Sequence, residues 1–408
     1  MPDDVIFALS SGQGKAGVAV IRVSGKDLTE LAAGAAPRHA KFRNFYGIDN
    51  IILIYFKAPN SFTGEDVVEL HCHGGAAVIQ AIFEKLKSFG YRMAEKGEFA
   101  RRAFHNGKMD LVEIDAMREL IDAKTEKQRA RALAGMTGGS SAVYMGWRND
   151  MVSLAALTSA RMDYDAGDLP KDIDVQIAEK TDALVAAIEG ALGRNHRIIE
   201  SGFHVVLAGE TNVGKSSLFN AILGEGRAIV SDIHGTTRDV ISAELDLNGY
   251  LVRLSDTAGI RESKDEIEKI GIEKTKEQME HADLIIRVLD KPSDARAREN
   301  EIIVVNKSDL GEGDVSAKTG VGIPELLAQI KQKLYEQLDG REDDLTVNAR
   351  AWSHLERAVS ELSKSRLAPA DLSAEHIMNA ADEIGQILGI IGSEEIYDSV
   401  FGQLCLGK

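Results

Sequence analysis

The feature that most constrains the fold lies at residues 203–220, where a strand pattern runs directly into a glycine-rich loop and a helix. The strand pattern is Phe-His-Val-Val-Leu-Ala, and residues 209–216 read Gly-Glu-Thr-Asn-Val-Gly-Lys-Ser. This is the G-x4-G-K-S phosphate loop in its strand–loop–helix setting. Its backbone N–H groups converge on phosphates, Lys215 reaches the phosphate oxygens, and the Ser216 hydroxyl is placed for Mg²⁺. The sequence therefore predicts a doubly wound nucleotide-binding domain over residues 201–340.

Three further motifs follow in the order expected of a guanine-nucleotide site. Asp256-Thr257-Ala258-Gly259 ends one strand pattern, Asn306-Lys307-Ser308-Asp309 ends another, and Ser316-Ala317-Lys318 comes next. The Asp309 carboxylate can accept hydrogen bonds from guanine N1–H and its exocyclic amine, whereas adenine offers no such pair. The predicted GTP contacts in these motifs and in the phosphate loop are Asn212, Val213, Gly214, Lys215, Ser216, Ser217, Asp256, Thr257, Ala258, Gly259, Asn306, Lys307, Ser308, Asp309, Ser316, Ala317 and Lys318.

A polar loop between the first two motifs is predicted to close on Mg²⁺ and the γ-phosphate; the alternative is a plain polar turn. Its predicted GTP contacts are Ser231, Asp232, Ile233, His234, Gly235, Thr236 and Thr237. The nucleotide-binding domain is also predicted to be trimmed, that is, shortened in two connections. Only ten residues separate Asp290 from Glu301, and only six separate Asp309 from Ser316. We therefore expect a regular helix and one strand to be shortened or missing there.

Composition limits the other classes of function. The net charge of −16 argues against a surface that grips a phosphate backbone throughout, so a local patch or a partner would supply positive charge. No run of about 18 apolar residues is present, and the N-terminus lacks an export-signal layout. With two cysteines in 408 residues, a disulfide scaffold is not expected. We expect a cytoplasmic protein without a membrane span.

The flanking segments predict two further kinds of structure. Residues 1–110 alternate β-branched runs with turns and include one helical stretch at 76–89, which indicates an α+β domain. Residues 111–200 and 341–408 carry apolar positions at helical spacing. Two helical segments separated by an α/β insert most simply form one helical domain interrupted by another. The predicted fold class is therefore multidomain α/β, with an α+β domain, a helical domain and an inserted P-loop domain.

Two short motifs, Gly235-Thr-Thr-Arg-Asp239 and the C-terminal Cys405-Leu-Gly-Lys408, are typical of one protein family. Residues 17–25, 61–70, 73–75, 97–108 and 120–126 carry the same likeness, which therefore covers nearly the whole chain. In these residues the chain resembles the tRNA-modifying GTPase family MnmE, also called TrmE.

The resemblance implies a homodimer whose N-terminal domain binds 5-formyl-tetrahydrofolate through Arg22, Glu69, Lys108 and Lys408. From the residues alone, each of these could equally be a solvated surface charge. It also implies that the protein acts with an FAD-dependent MnmG-type partner, in a heterotetramer, to modify C5 of the wobble uridine of tRNA. That chemistry adds an aminomethyl or carboxymethylaminomethyl group.

The resemblance further implies that GTP hydrolysis starts when two G domains meet with K⁺ bound. The K⁺ ligands would come from Asn212, Ser231, Ile233 and Thr236, while Thr237 would join Ser216 on Mg²⁺. Glu268 would position the attacking water, although by sequence alone it is one exposed acid among several. Lys215 and Glu268 are thus the predicted catalytic residues of the GTPase site.

The two cysteines have different interpretations. Cys405 is predicted to be catalytic near the folate site, with a buried structural thiol as the alternative and a poor match to lipidation patterns. Cys72 lies between two histidines, but three adjacent residues of an extended segment cannot all face one ion, so a structural role is predicted.

A rival hypothesis is a GTP-dependent assembly or ribosome-associated switch without a role in covalent tRNA chemistry. The N-terminal region and the Cys405 tail discriminate between the two, since a simple assembly GTPase needs neither.

Overall fold

The structure is a computed structural model that describes residues 4–32, 34–163, 170, 172–193, 195–229, 241–256, 279, 281–294, 296–338, 345, 347–392, 394–405 and 407. The chain divides into two compact units. The first comprises Met1–Arg118, Tyr144–Asn149 and Ala381–Lys408, and the second comprises Glu119–Val143 and Asp150–Ala380.

The first unit is built on a six-stranded, mostly antiparallel sheet with the strand order β3-β4-β5-β2-β1-β6. One face packs against helix α2, with Ile21, Leu53 and Leu70 fully buried beneath it. Since neighbouring residues of a strand point to opposite faces, Arg22 and Glu69 lie on the other face. The strands are β1 (Ile6–Leu9), β2 (Ala16–Gly25), β3 (Ala40–Phe45), β4 (Asp49–Phe56), β5 (Asp66–Gly74) and β6 (Arg92–Met93).

Helices account for most of the chain between this sheet and the phosphate loop. The predicted helix at 76–89 is confirmed as α2 (Ala76–Ser88), and the apolar periodicity from Leu111 is confirmed as α4. The helices before the phosphate loop are α1 (Thr29–Ala32), α2, α3 (Glu98–His105), α4 (Leu111–Asp122), α5 (Glu126–Met136), α6 (Gly139–Asp163), α7 (Ile173–Ala191) and α8 (Asn195–Ser201).

The nucleotide-binding domain is a second six-stranded sheet, in the order β12-β11-β7-β10-β9-β8. Strands β10, β7, β11 and β12 run parallel, as the doubly wound prediction requires. Its elements are β7 (Phe203–Ala208), α9 (Lys215–Glu225), β8 (Arg227–Ile229), β9 (Ile241–Leu247), β10 (Tyr250–Asp256), β11 (Leu284–Leu289), β12 (Glu301–Val305) and α10 (Ile323–Gln337).

The predicted trimming of this domain is confirmed in the part of the chain that is described. Between Leu289 and Glu301 no helix forms among the described residues, and β12 is the outer strand of the sheet there. The chain turns back at once after β12, because the Asp314 and Val315 amides both donate to the Val305 carbonyl at 2.8 and 3.1 Å.

Helices on the two sides of the insert meet in the second unit, where α7 packs against α11 (Ala349–Ser365). Arg131 of α5 also donates to the Val347 carbonyl at 2.9 Å, just before α11 begins. These contacts agree with helical segments that are separated by the insert and meet in the fold. The last helices are α12 (Ala370–Leu388) and α13 (Glu394–Phe401). Among the helices that the structure describes, none combines the length and apolar character needed to cross a bilayer.

Candidate nucleotide and folate sites

Two glycines of the phosphate loop are required by close backbone approach. Gly209 has φ +153°, and a Cβ built on it would lie 2.3 Å from the Val288 carbonyl oxygen. Gly214 precedes α9 with φ +95°, and its Cβ would lie 2.4 Å from Asn306 Nδ2. A side chain at 209 would therefore clash with the backbone of β11, and one at 214 would clash with the Asn306 side chain and strain the left-handed backbone.

The loop carries a buried ammonium group and a hydroxyl–carboxylate pair. Lys215 is 8% exposed, and its Nζ donates to the carbonyls of Gly209 and Glu210 at 2.9 and 2.8 Å. Ser216 Oγ donates to Asp256 Oδ2 at 2.6 Å, and Asp256 is 1% exposed. A hydroxyl beside a carboxylate is an oxygen donor set that suits Mg²⁺ next to phosphates. The structure thus brings Lys215, Ser216 and Asp256 together at the end of β7 and β10.

The segment predicted to recognise the base is tied directly to the phosphate loop. Asn306 Nδ2 donates to the Val213 carbonyl at 3.0 Å, and Asn306 Oδ1 accepts from the Ala317 amide at 3.2 Å. Lys307 has φ +70°, and its Nζ donates to the Asn212 carbonyl at 3.0 Å. Three segments separated in sequence are therefore fixed relative to one another by side chains that the sequence predicted to bind GTP.

Asp309 is exposed, and a hydrogen bond from the buried Ser316 sets the orientation of its carboxylate. Ser316 is fully buried, and its Oγ donates to Asp309 Oδ1 at 2.7 Å. The Ser316 hydroxyl also accepts from the Thr319 amide at 3.2 Å. A carboxylate held in this way can present a fixed acceptor edge to a base.

Several predicted site residues lie outside the described residues, and their roles stay predictions. They are residues 231–237 of the polar loop, residues 257–259 of the second motif, Glu268 and Lys408.

The sheet of the first unit brings together two of the predicted folate residues. Strand register pairs Arg22 with Glu69, and Arg22 Nε and Nη2 donate to Glu69 Oε1 at 3.2 and 3.0 Å. Both side chains keep about a fifth of their surface, 19% and 18%. The Arg22 guanidinium also lies 4.9 Å from the centre of the Phe62 ring. Phe62 was not predicted as a site residue, although it belongs to the 61–70 segment that carries the resemblance.

One further predicted position, Lys108, lies near this region. A Cβ built on Gly64 would lie 3.1 Å from Lys108 Cγ, so the Lys108 stem packs against Gly64, two residues after Phe62. Just after the C-terminal end of β1, Ser10 Oγ donates to the Gly407 carbonyl at 3.0 Å. The C-terminal tail therefore reaches the end of strand β1, next to β2.

The cysteines differ in exposure. Cys405 is exposed, so the alternative of a buried structural thiol there is wrong. Cys72 is buried, and its Sγ donates to the Ala19 carbonyl at 3.6 Å. Burial raises the pKa of the Cys72 thiol to about 11, which keeps it protonated and unreactive at neutral pH.

Family models match the chain on both sides of the phosphate loop. The model described as GTP-binding protein TrmE N-terminus matches residues 5–108, and the model described as MnmE helical domain matches residues 111–405. The second match spans more than half of the chain and includes the insert. The chain belongs to the MnmE family.

Full-length relatives agree with this membership. The tRNA modification GTPase MnmE of Agrobacterium fabrum is 40% identical, with 100% of both chains covered. The protein of the same name from Wolbachia pipientis is 39% identical, covering 100% of this chain and 99% of the relative. Among solved structures, the G domain of the T. maritima FeoB iron transporter is 26% identical, covering 33% of this chain and 98% of that chain, with a TM-score of 0.23.

Proposed function

We propose that this MnmE-family chain hydrolyses GTP and takes part in modifying C5 of the wobble uridine of tRNA. In this proposal it adds an aminomethyl or carboxymethylaminomethyl group together with an FAD-dependent MnmG-type partner, in a heterotetramer. It acts in the cytoplasm as a homodimer, with domains at residues 1–110, 111–200, 201–340 and 341–408. Two observations together carry the proposal. The phosphate loop is hydrogen-bonded to the segment predicted to recognise the base, and tRNA modification GTPases match the chain at full length.

The described residues suit the binding and polarisation of a triphosphate. The buried Lys215 ammonium and the backbone N–H groups at the start of α9 would face the β and γ oxygens. Ser216 and Asp256 would hold Mg²⁺, Ser216 directly and Asp256 through water, with Thr237 as a further proposed ligand. When bound, Mg²⁺ would neutralise charge that develops on the phosphates. Glu268 is proposed to orient the attacking water.

Potassium is proposed to complete the site when two G domains meet. Asn212 would supply a ligand from the phosphate loop, where it has φ +68° and its carbonyl accepts from Lys307. The other proposed ligands are Ser231, Ile233 and Thr236. A cation beside the β and γ phosphates would stabilise developing charge as an arginine finger does.

The potassium proposal predicts that turnover depends on the salt and on protein concentration. At equal ionic strength, GTP turnover per chain in KCl should exceed that in NaCl by about tenfold or more. Turnover per chain should also rise with protein concentration, because two G domains must associate. Phosphate release measured in both salts checks this, and equal rates at all concentrations would contradict it.

Folate is proposed to bind on the sheet face that carries Arg22 and Glu69. A carboxylate can pair with the donor edge of a pteridine, while arginine or lysine suits its glutamate tail. The Arg22–Glu69 pair is half-buried beside Phe62, and Lys108 packs against Gly64 nearby. Cys405 lies two residues before Gly407, which bonds Ser10 at the end of β1. Lys408 is proposed as a further ligand. Cys405 is exposed, as a reactive thiol must be.

We expect Arg22→Met to weaken binding of 5-formyl-tetrahydrofolate by about tenfold to a hundredfold, since it removes a charge-assisted contact. Isothermal titration of the purified chain measures this. Lys87→Met is the matched control, because Lys87 is an exposed cation on α2, across the sheet, and bonds Glu84 of its own helix. Equal affinity of the wild type and Arg22→Met would remove Arg22 from the site, and no binding by the wild type would reject folate altogether.

Mass spectrometry of wobble nucleosides tests the proposed function as a whole. Cells that lack this protein should lose the C5 modification, and the wild-type gene should restore it, whereas a Lys215→Ala variant should not. Unchanged nucleosides in the deletion strain would instead favour the assembly or ribosome-associated switch.

A further inference from the structure

The N-terminal turn of α5 contacts the point where the chain enters the nucleotide-binding domain. Gln128 Oε1 accepts from the Lys124 amide at 3.0 Å within this turn. Gln128 Nε2 donates to the carbonyls of Ile199 and Glu200 at 3.2 and 3.1 Å. Both carbonyls belong to the last turn of α8, where a helix leaves its carbonyls without internal partners. One side chain of α5 therefore caps the helix that leads into β7 and the phosphate loop.

The same turn of α5 holds the hairpin between β9 and β10. Asn248 and Gly249 have φ of +56° and +88°, as a tight hairpin turn requires. The Lys127 amide donates to the Gly249 carbonyl at 3.2 Å. A Cβ on Gly249 would lie 3.2 Å from Lys127 Cγ, so the turn and the helix are in close contact.

An ion pair links the strands of the hairpin to the segment just before α5. Lys124 Nζ lies 2.6 Å from Glu244 Oε2 on β9, and Glu244 Oε1 lies 3.6 Å from Arg253 Nε on β10. The Glu244 carboxylate is 19% exposed and therefore partly shielded from water. The pair thus joins the segment just before α5 to both strands at once.

The far end of this hairpin carries part of the nucleotide site. Strand β10 ends at Asp256, which pairs in register with Ile241 of β9 and with Leu207 of β7. Asp256 accepts the hydrogen bond from Ser216, the proposed Mg²⁺ ligand. Because a paired strand cannot slide without breaking its ladder, the turn and Asp256 are held at a fixed separation of about 20 Å along β10.

We propose that Lys124 and Gln128 are positioning residues for GTP hydrolysis, acting through the β9–β10 hairpin and through α8. Lys124 would set the position of Asp256 by way of Glu244, and Gln128 would set the position of the phosphate loop by way of α8. The inference rests on the proposed GTPase activity and assigns roles to Lys124, in the 120–126 segment, and to Gln128, just after it, which the nucleotide site itself does not use.

The test compares Lys124→Met and Gln128→Met with the wild-type chain. Both substitutions keep an unbranched side chain of similar length and remove only the polar contacts. Arg129→Met is the matched control, because Arg129 lies in the next position of α5, is 50% exposed and bonds Glu126 of the same helix. Lys124→Arg is the conservative variant, because it keeps the charge opposite Glu244.

The expected result is a fall in kcat for GTP of about fivefold or more in Lys124→Met and Gln128→Met, the range typical of coupling between sites. The Kd for fluorescent GDP and the thermal unfolding midpoint should stay near the wild-type values, which a purely structural role would not predict. Arg129→Met should match the wild type, and Lys124→Arg should recover most of the turnover.

Two outcomes would overturn the inference while the GTPase proposal stands. One is a kcat within about twofold of the wild type in both methionine variants, since the coupling would then be negligible. The other is a fall in kcat matched by an equal loss of GDP affinity or by unfolding. A wild-type chain without GTP turnover would overturn the GTPase proposal as well, so the two failures are distinguishable.

Discussion

Lys215→Ala is expected to lower GTP turnover by about a hundredfold or more, the largest effect that we expect from one substitution. Lys215 is the buried cation of the phosphate loop, and its Nζ is held by two carbonyls of that loop. Its positive charge would stabilise the negative charge that develops on the β and γ oxygens during hydrolysis. Phosphate release under saturating GTP measures the effect.

A control distinguishes this effect from a general loss of charge. Lys333→Ala removes a partly exposed cation of α10 that bonds Glu336 of the same helix, and it should leave turnover unchanged. Turnover of the Lys215→Ala chain within about twofold of the wild type would contradict the assignment of this loop as the hydrolytic site.

Asp309→Asn is expected to weaken GTP binding by about a hundredfold or more and to favour xanthosine triphosphate. In the predicted binding mode the carboxylate would accept from the N1–H and the amine of guanine, and an asparagine amide would place a donor against that amine. Xanthine carries a carbonyl at that position, which accepts from the amide. Because Ser316 Oγ holds one oxygen of Asp309 at 2.7 Å, the asparagine should keep its oxygen there and present its amide to the base.

Competition against a fluorescent guanine nucleotide measures this change of preference. Glu312→Gln, an exposed acid in the same short loop, is the matched control and should retain the preference for GTP. An Asp309→Asn chain that still selects GTP over xanthosine triphosphate would show that Asp309 does not recognise the base.

The nucleotide-binding domain could be predicted from local sequence because its chemistry is local. The phosphate loop needs glycine at 209 and 214 because both have positive φ, and it must join a strand to a helix. One stretch of chain therefore carries both the glycine pattern and the strand–helix pattern. The trimmed connections could also be predicted, since they follow from the spacing between motifs.

Contacts between residues that are far apart in the sequence could not be predicted from local sequence patterns. Arg22 meets Glu69 only because β2 and β5 pair in one register, and Gln128 meets α8 across 71 residues of chain. Arg102 is a clear case, because it is 1% exposed and is neutralised by Asp4, Glu65 and Glu98 from three segments. A lone arginine in a sequence gives no sign that three carboxylates will surround it.

The measurement that tests the central claim most directly is nucleotide selectivity of the purified wild-type chain. The structure holds Asn306, Asp309 and Ser316, which are predicted to recognise the base, in segments hydrogen-bonded to one another or to the phosphate loop. Titration with fluorescent GDP should therefore give saturable binding that GTP displaces and ATP does not. Failure to bind GDP, or equal displacement by ATP, would contradict the account.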